Sequence, residues 1–117
     1  MGQAHSLAYA IAPIGAPIGA DIVKKVLVDT DAAVAEGAAA RLGWQEWATD
    51  WREIVARDDI DIVDICTPPQ FHQEIAEAAF AASKHVFCEK PITNDAVEAA
   101  EMVRAADASG LVNQVGF

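Results

Sequence analysis

The 117-residue chain has the length of one domain, and its 53% hydrophobic content, much of it Ala, suffices for a single buried core. Its formal net charge of −10 argues against nucleic-acid binding, so any bound anion has to be held by local donors such as backbone N–H groups or a single Lys. No apolar run approaches the roughly 20 residues that span a bilayer, and the N-terminus lacks the basic start of a secretory signal.

In chain order, IVKKVLVD (22–29) predicts a strand ending in an acid. TDAAVAEGAAARLG (30–43) predicts a helix capped by Asp31 and stopped by Gly43, with Val34, Ala38 and Leu42 on one face. A short helix over 50–57 follows, with Asp50 as its N-cap, and then a strand over 59–69 that runs into Pro68 and Pro69. Residues 70–83 return to helical spacing, with Phe71, Ile75, Ala78 and Ala82 on one stripe. HVFCE (85–89) predicts a strand. A long helix over 92–110 is expected next, capped by Thr93 or Asn94 and closed by Gly110, and a last strand over 111–117.

Strands alternating with helices mean a parallel sheet with crossover helices, an α/β doubly wound domain without internal repeat or disordered linker. Ligands of such sheets bind outside the carboxyl ends of the strands. The polar residues at those ends are Asp29, Thr67 beside Pro68 and Pro69, Glu89 with Lys90, and Asn113 to Gln114, while His72 follows within a turn of Pro69. Cys66 and Cys88 form no CxxC and have no His cluster at metal-ligand spacing. Buried reduced thiols in a cytoplasmic protein are expected, and no metal.

VLVDTD (26–31), IDIVDICTPPQFH (60–72) and KHVFCEKPI (84–92), with weaker support from GLVNQVGF (110–117), resemble the nucleotide-binding half of the Gfo/Idh/MocA oxidoreductases. The resemblance covers the chain and implies a Rossmann-like sheet and an NAD-dependent oxidoreductase acting on a sugar, polyol or related hydroxy compound. An Asp at the end of the second Rossmann strand accepts hydrogen bonds from ribose hydroxyls and repels a 2′-phosphate, so Asp29 favours NAD over NADP; its other reading is as part of a helix cap. Thr67, Pro68 and His72 inherit a place along the dinucleotide, although His72 reads equally as a helix residue bonded to a nearby carbonyl. Gln114 is counted with the cofactor-binding residues, and His5 and His85 are read as structural. By the same resemblance Lys90 is the catalytic candidate. Its ammonium orients the substrate oxygen and stabilises charge developing there. The resemblance also implies a cis Lys90–Pro91 bond and a Glu89 that bonds the nicotinamide ribose or holds Lys90 in place.

The chain departs from the family pattern at both ends. Met1 and Gly2 match the end of the GxGxxG phosphate loop and Gln3 to Ile11 the helix after it, so only Gly2 of that loop is present to meet a pyrophosphate. GAPIGA (15–20) does not replace the loop, because a parallel crossover needs roughly a dozen residues and only Asp21 separates it from the next strand. It is expected to link the first helix to the strand at 22. The family's second domain, which supplies the substrate pocket and usually the acid or base, is absent from residues 1–117. The expectation is a fragment: an incomplete sheet lacking the central first strand, with two inner edges unpaired, inactive alone and binding NAD weakly. A strand from a neighbouring chain, in a homo-oligomer, could fill the gap. Two other readings stand beside this one. A non-catalytic nucleotide-binding or oligomerising module would keep the same residues. A phosphoreceiver domain would use Asp64 and Lys90, but it needs more chain between the two, and Asp64 lies inside its strand.

Overall fold

The computed structural model describes residues 1–16 and 18–117, which form two units, Met1–Ile54 and Val55–Phe117. The first unit opens with helix α1 (Gly2–Gly15). Ser6, buried on it, donates to the Gly2 carbonyl at 2.8 Å and accepts from the Trp44 indole N–H at 3.0 Å. Gly15 ends the helix and Gly19 has φ of 67°, so the segment joins helix to strand as expected, while Pro17 lies outside the described residues. Strand β1 (Val26–Val28) pairs in parallel with β2 (Glu46–Ala48), Leu27 facing Trp47.

Helix α2 (Ala32–Leu42) makes the crossover between them. Asp31 caps it, its Oδ1 accepting from the N–H groups of Ala33 at 2.9 Å and Val34 at 3.1 Å. Gly43 ends it at φ 75°, a left-handed conformation that suits glycine, and the Lys24 ammonium donates to the Leu42 carbonyl. The inward face is Ala35 and Ala39, not the expected Val34, Ala38 and Leu42; Val34 is 52% exposed. In so Ala-rich a helix, apolarity marks two adjacent faces alike, and small side chains at the contact let the helix sit closer to its neighbours.

The second unit holds the parallel sheet β3 (Ile62–Ile65), β4 (His85–Glu89) and β5 (Asn113–Gly116), with β4 in the middle. Helix α3 (Trp51–Val55) leads into it, and Asp50 accepts from the Arg52 N–H at 2.9 Å. The five strands therefore lie in two sheets, and β1 and β3 each have one ladder partner among the described residues.

Two of the expected details are corrected here. Helix α4 (His72–Ala81) buries His72, Ile75, Ala76, Ala79 and Phe80, whereas Phe71 is 47% exposed. After the double proline the chain first winds a 3₁₀ turn, Pro69–Phe71, with the Phe71 N–H on the Pro68 carbonyl at 3.0 Å. Three residues per turn instead of 3.6 shifts the phase of everything that follows. Helix α5 (Ala96–Ser109) is capped by Asp95, not Thr93 or Asn94; its Oδ1 accepts from Val97 at 2.7 Å and Glu98 at 3.2 Å. Thr93 instead closes the turn before the cap, its hydroxyl donating to the Asp95 carbonyl at 2.6 Å. Gly110 stops α5 at φ 65°. No helix among the described residues is long and apolar enough to cross a membrane.

Asp95→Ala should cost about 1 kcal/mol of stability in urea unfolding, as loss of an N-cap typically does. Asn94→Ala should stay within about 0.5 kcal/mol, and the reverse order would return the cap to Asn94.

Candidate functional site

In the second unit the candidate residues gather at two turns. The first follows β3 and contains Thr67, Pro68 and the 3₁₀ turn. The second follows β4. There the ladder ends at the pair Glu89–Gly116, and Pro91, with no N–H to give, prevents its continuation. The Lys90–Pro91 peptide is cis.

Glu89 is only 6% exposed, and its Oε2 accepts the Lys90 N–H at 3.0 Å. The carboxylate lies over β5 at Gly116, where a Cβ would come within 3.1 Å of Oε1. Glycine keeps that space open, a requirement that the sequence pattern alone does not reveal. Of the two roles expected for Glu89, this geometry favours holding Lys90 in place. Lys90 itself is exposed, and its ammonium has no hydrogen bond or ion pair among the described residues.

His72 stands between the turns. Its ring is fully buried. Nε2 lies 2.8 Å from the Thr67 carbonyl oxygen, and Nδ1 lies 3.1 Å from both the Pro91 and Ile92 carbonyls. The His72 ring thus lies in the carbonyl-bonded arrangement. Thr67 and Pro68 remain exposed. Gln114 is set back: it pairs with Phe87, two positions before the Glu89–Gly116 end of the ladder, and its amide donates to the Val115 carbonyl at 2.8 Å.

In the first unit, Asp29 follows β1 and is half-buried. Its Oδ1 accepts from the Asp31 N–H at 3.0 Å, while Asp31 alone caps α2. Asp29 thus organises the residue that caps and does not cap the helix itself. Gly2 opens α1, preceded by Met1, which makes no side-chain cap.

Residues 8–117 match the model of an oxidoreductase family with an NAD-binding Rossmann fold. The chain belongs to this Gfo/Idh/MocA family. It is 42% identical over 118 residues to the levoglucosan dehydrogenase of Pseudarthrobacter phenanthrenivorans, covering all of this chain and 30% of that protein. The solved structure of levoglucosan dehydrogenase in complex with NADH and levoglucosan superimposes with a TM-score of 0.95, over 98% of this chain and 31% of that one. An oxidoreductase domain protein from Kribbella flavida is 44% identical, with a TM-score of 0.95 over 99% of this chain and 32% of that one. The scyllo-inositol 2-dehydrogenase (NADP(+)) of Bacillus subtilis is 41% identical over 64 residues, 55% of this chain and 20% of that protein. The chain thus spans about a third of the length of the relatives it matches.

Neither thiol of this family member is built as a nucleophile. Burial, then the charges of Asp64 and Glu89, push the Cys88 thiol up to about 11. Cys66 is half-buried rather than buried; burial and Asp64, whose Oδ1 takes its S–H at 3.5 Å, push it up to about 12. Asp64 lies within β3 opposite Phe87, not at a strand end.

With its pKa raised from 9.0 to about 11, Cys88 carries a smaller thiolate fraction at pH 8 than an unfolded thiol. Iodoacetamide at that pH should therefore alkylate Cys88 slower by about tenfold or more in the folded chain than in urea, the lower thiolate fraction outweighing the greater reactivity of a higher-pKa thiolate. Equal rates would show that the strand does not shield it.

Proposed function

We propose that this chain is the nucleotide-binding part of an NAD-dependent dehydrogenase acting on a sugar, polyol or related hydroxy compound. The observation that carries the reading is the turn after β4, where a buried Glu89 holds the backbone of an exposed Lys90. Each unit carries residues that suit a dinucleotide: in the first an acid follows β1 and Gly2 opens α1, and in the second exposed polar groups follow β3 and β4. When bound, NAD accepts or donates a hydride. Asp29 accepts hydrogen bonds from the adenosine ribose hydroxyls and repels a 2′-phosphate, which supports NAD over NADP even though one relative is named for NADP(+). The amide end of α1 at Gly2 would meet pyrophosphate charge, and Thr67 and Pro68 would help hold the dinucleotide.

Lys90 orients the reacting hydroxyl or carbonyl oxygen and stabilises the negative charge that develops on it. In this reading the substrate pocket and the proton-transferring acid or base lie outside residues 1–117. Relatives of which this chain covers 30% support that reading. Residues 1–117 alone are then inactive and bind NAD weakly, in a cytoplasmic setting where both thiols stay reduced. A module that binds NADH but turns over no polyol or sugar is the alternative.

The test is turnover of the full-length protein, followed at 340 nm with NAD or NADP against levoglucosan and inositol, beside NADH binding by fluorescence. Lys90→Ala should lower kcat by about 100-fold or more and leave NADH affinity nearly unchanged. An equal loss of both would restrict Lys90 to cofactor binding, and NADH binding without any turnover would favour the module. Asp29→Ala should relax the NAD preference by about tenfold or more. An unaltered ratio of kcat/KM for the two coenzymes would remove Asp29 from the ribose site.

A further inference from the structure

We propose that His72 is a positioning residue for Lys90, tying the turn after β4 to the turn after β3 through backbone carbonyls. This rests on the reading of Lys90 as the residue at the reacting oxygen. The imidazole grows from the first residue of α4, is fully buried, and meets three carbonyl oxygens. On one side lies Thr67, at 2.8 Å from Nε2; on the other lie Pro91 and Ile92, each at 3.1 Å from Nδ1. Carbonyl oxygens only accept, so a neutral ring, with one N–H, bonds one side, and both turns are tied at once when both ring nitrogens carry protons.

The two carbonyls on the Nδ1 side immediately follow Lys90 in the chain. On the other side of Lys90, its own N–H is held by Glu89 at 3.0 Å. Lys90 is thus bracketed, by a carboxylate before it and an imidazole after it. Pro91 has no N–H with which to anchor the turn itself. The Nδ1 contacts bear directly on Lys90, whereas the Nε2 contact fixes the Thr67 turn. A purely structural His72 would not distinguish between the two nitrogens.

Asn and Gln separate them. The Asn amide nitrogen stands at the same bond count from Cβ as Nδ1, and the Gln amide nitrogen at the same count as Nε2. His72→Asn retains a donor toward Pro91 and Ile92, and His72→Gln retains one toward Thr67. The first readout is amide hydrogen exchange by NMR, comparing the Lys90 N–H with the Val86 N–H, which is bonded to the Val112 carbonyl at 3.1 Å and reports on the sheet. In His72→Gln the Lys90 N–H should exchange at least tenfold faster relative to Val86, and in His72→Asn it should stay within about threefold.

The second readout is kcat of the full-length protein with NAD and levoglucosan, beside NADH affinity. His72→Gln should lose kcat toward the Lys90→Ala level with NADH affinity retained, and His72→Asn should keep most of it. Exchange that speeds up alike at Lys90 and Val86 in both variants would overturn the proposal, as would a Gln variant better than Asn. If Lys90→Ala leaves kcat intact, the catalytic reading fails, and the exchange ratio still decides whether His72 holds this turn.

Discussion

Parallel pairing in register is the constraint on which the second unit depends. With Ile65 opposite Cys88 and Glu89 opposite Gly116, strands β3, β4 and β5 point the same way and deliver their following turns to the same end of the sheet. Thr67 and Lys90, 23 positions apart by their numbers, are thereby brought close enough for one imidazole to reach the carbonyls of both turns. The crossover helices make this possible, because parallel strands cannot be joined by a tight hairpin. The same arrangement leaves an exposed charged residue at a strand end without disturbing the ladder, which stops at Glu89 just before Lys90.

The buried polar side chains of this unit find partners chiefly on the backbone, several of them distant in sequence. Glu89 is inside, yet its carboxylate takes a backbone N–H and lies where Gly116 offers no side chain. Lys84 is buried with its ammonium on the Arg57 carbonyl at 2.7 Å. His72 is buried on three carbonyls. Unpaired, such groups would each be costly; paired with backbone, they define where one turn sits against another. Cys88 and Asp64 show the complementary effect, since a strand interior with a carboxylate nearby keeps a thiol protonated and inert.

Local chemistry was legible from the residues alone. Asp31 and Gly43 bound α2 as read, Gly110 stops α5, and β4 spans His85 to Glu89 as read. The pairing of a TPPxxH stretch with EKP indicated the family that residues 8–117 match. What failed were choices between neighbours. Asp95 rather than Thr93 or Asn94 caps α5, and Thr93 spends its hydroxyl on the turn before the cap. Ala35 and Ala39 rather than Val34 face inward on α2, and the 3₁₀ turn rotated the buried stripe of α4. His72 was read with its two possibilities open, and its carbonyl partners came from segments no local pattern connects to it.

The sequence by itself determined the alternation of strand and helix, the acids and glycines that begin and end helices, and the residue types waiting at the strand ends. These depend on propensity, periodicity and capping, which act over a few neighbouring positions. Tertiary structure alone decided that Gly116 makes room for Glu89, that Gln114 is set back along its strand, and that the His72 ring turns to carbonyls as many as 20 residues away. Those facts follow from strand register and helix phase. Both are fixed by packing between distant segments, so no local stretch of the chain carries them.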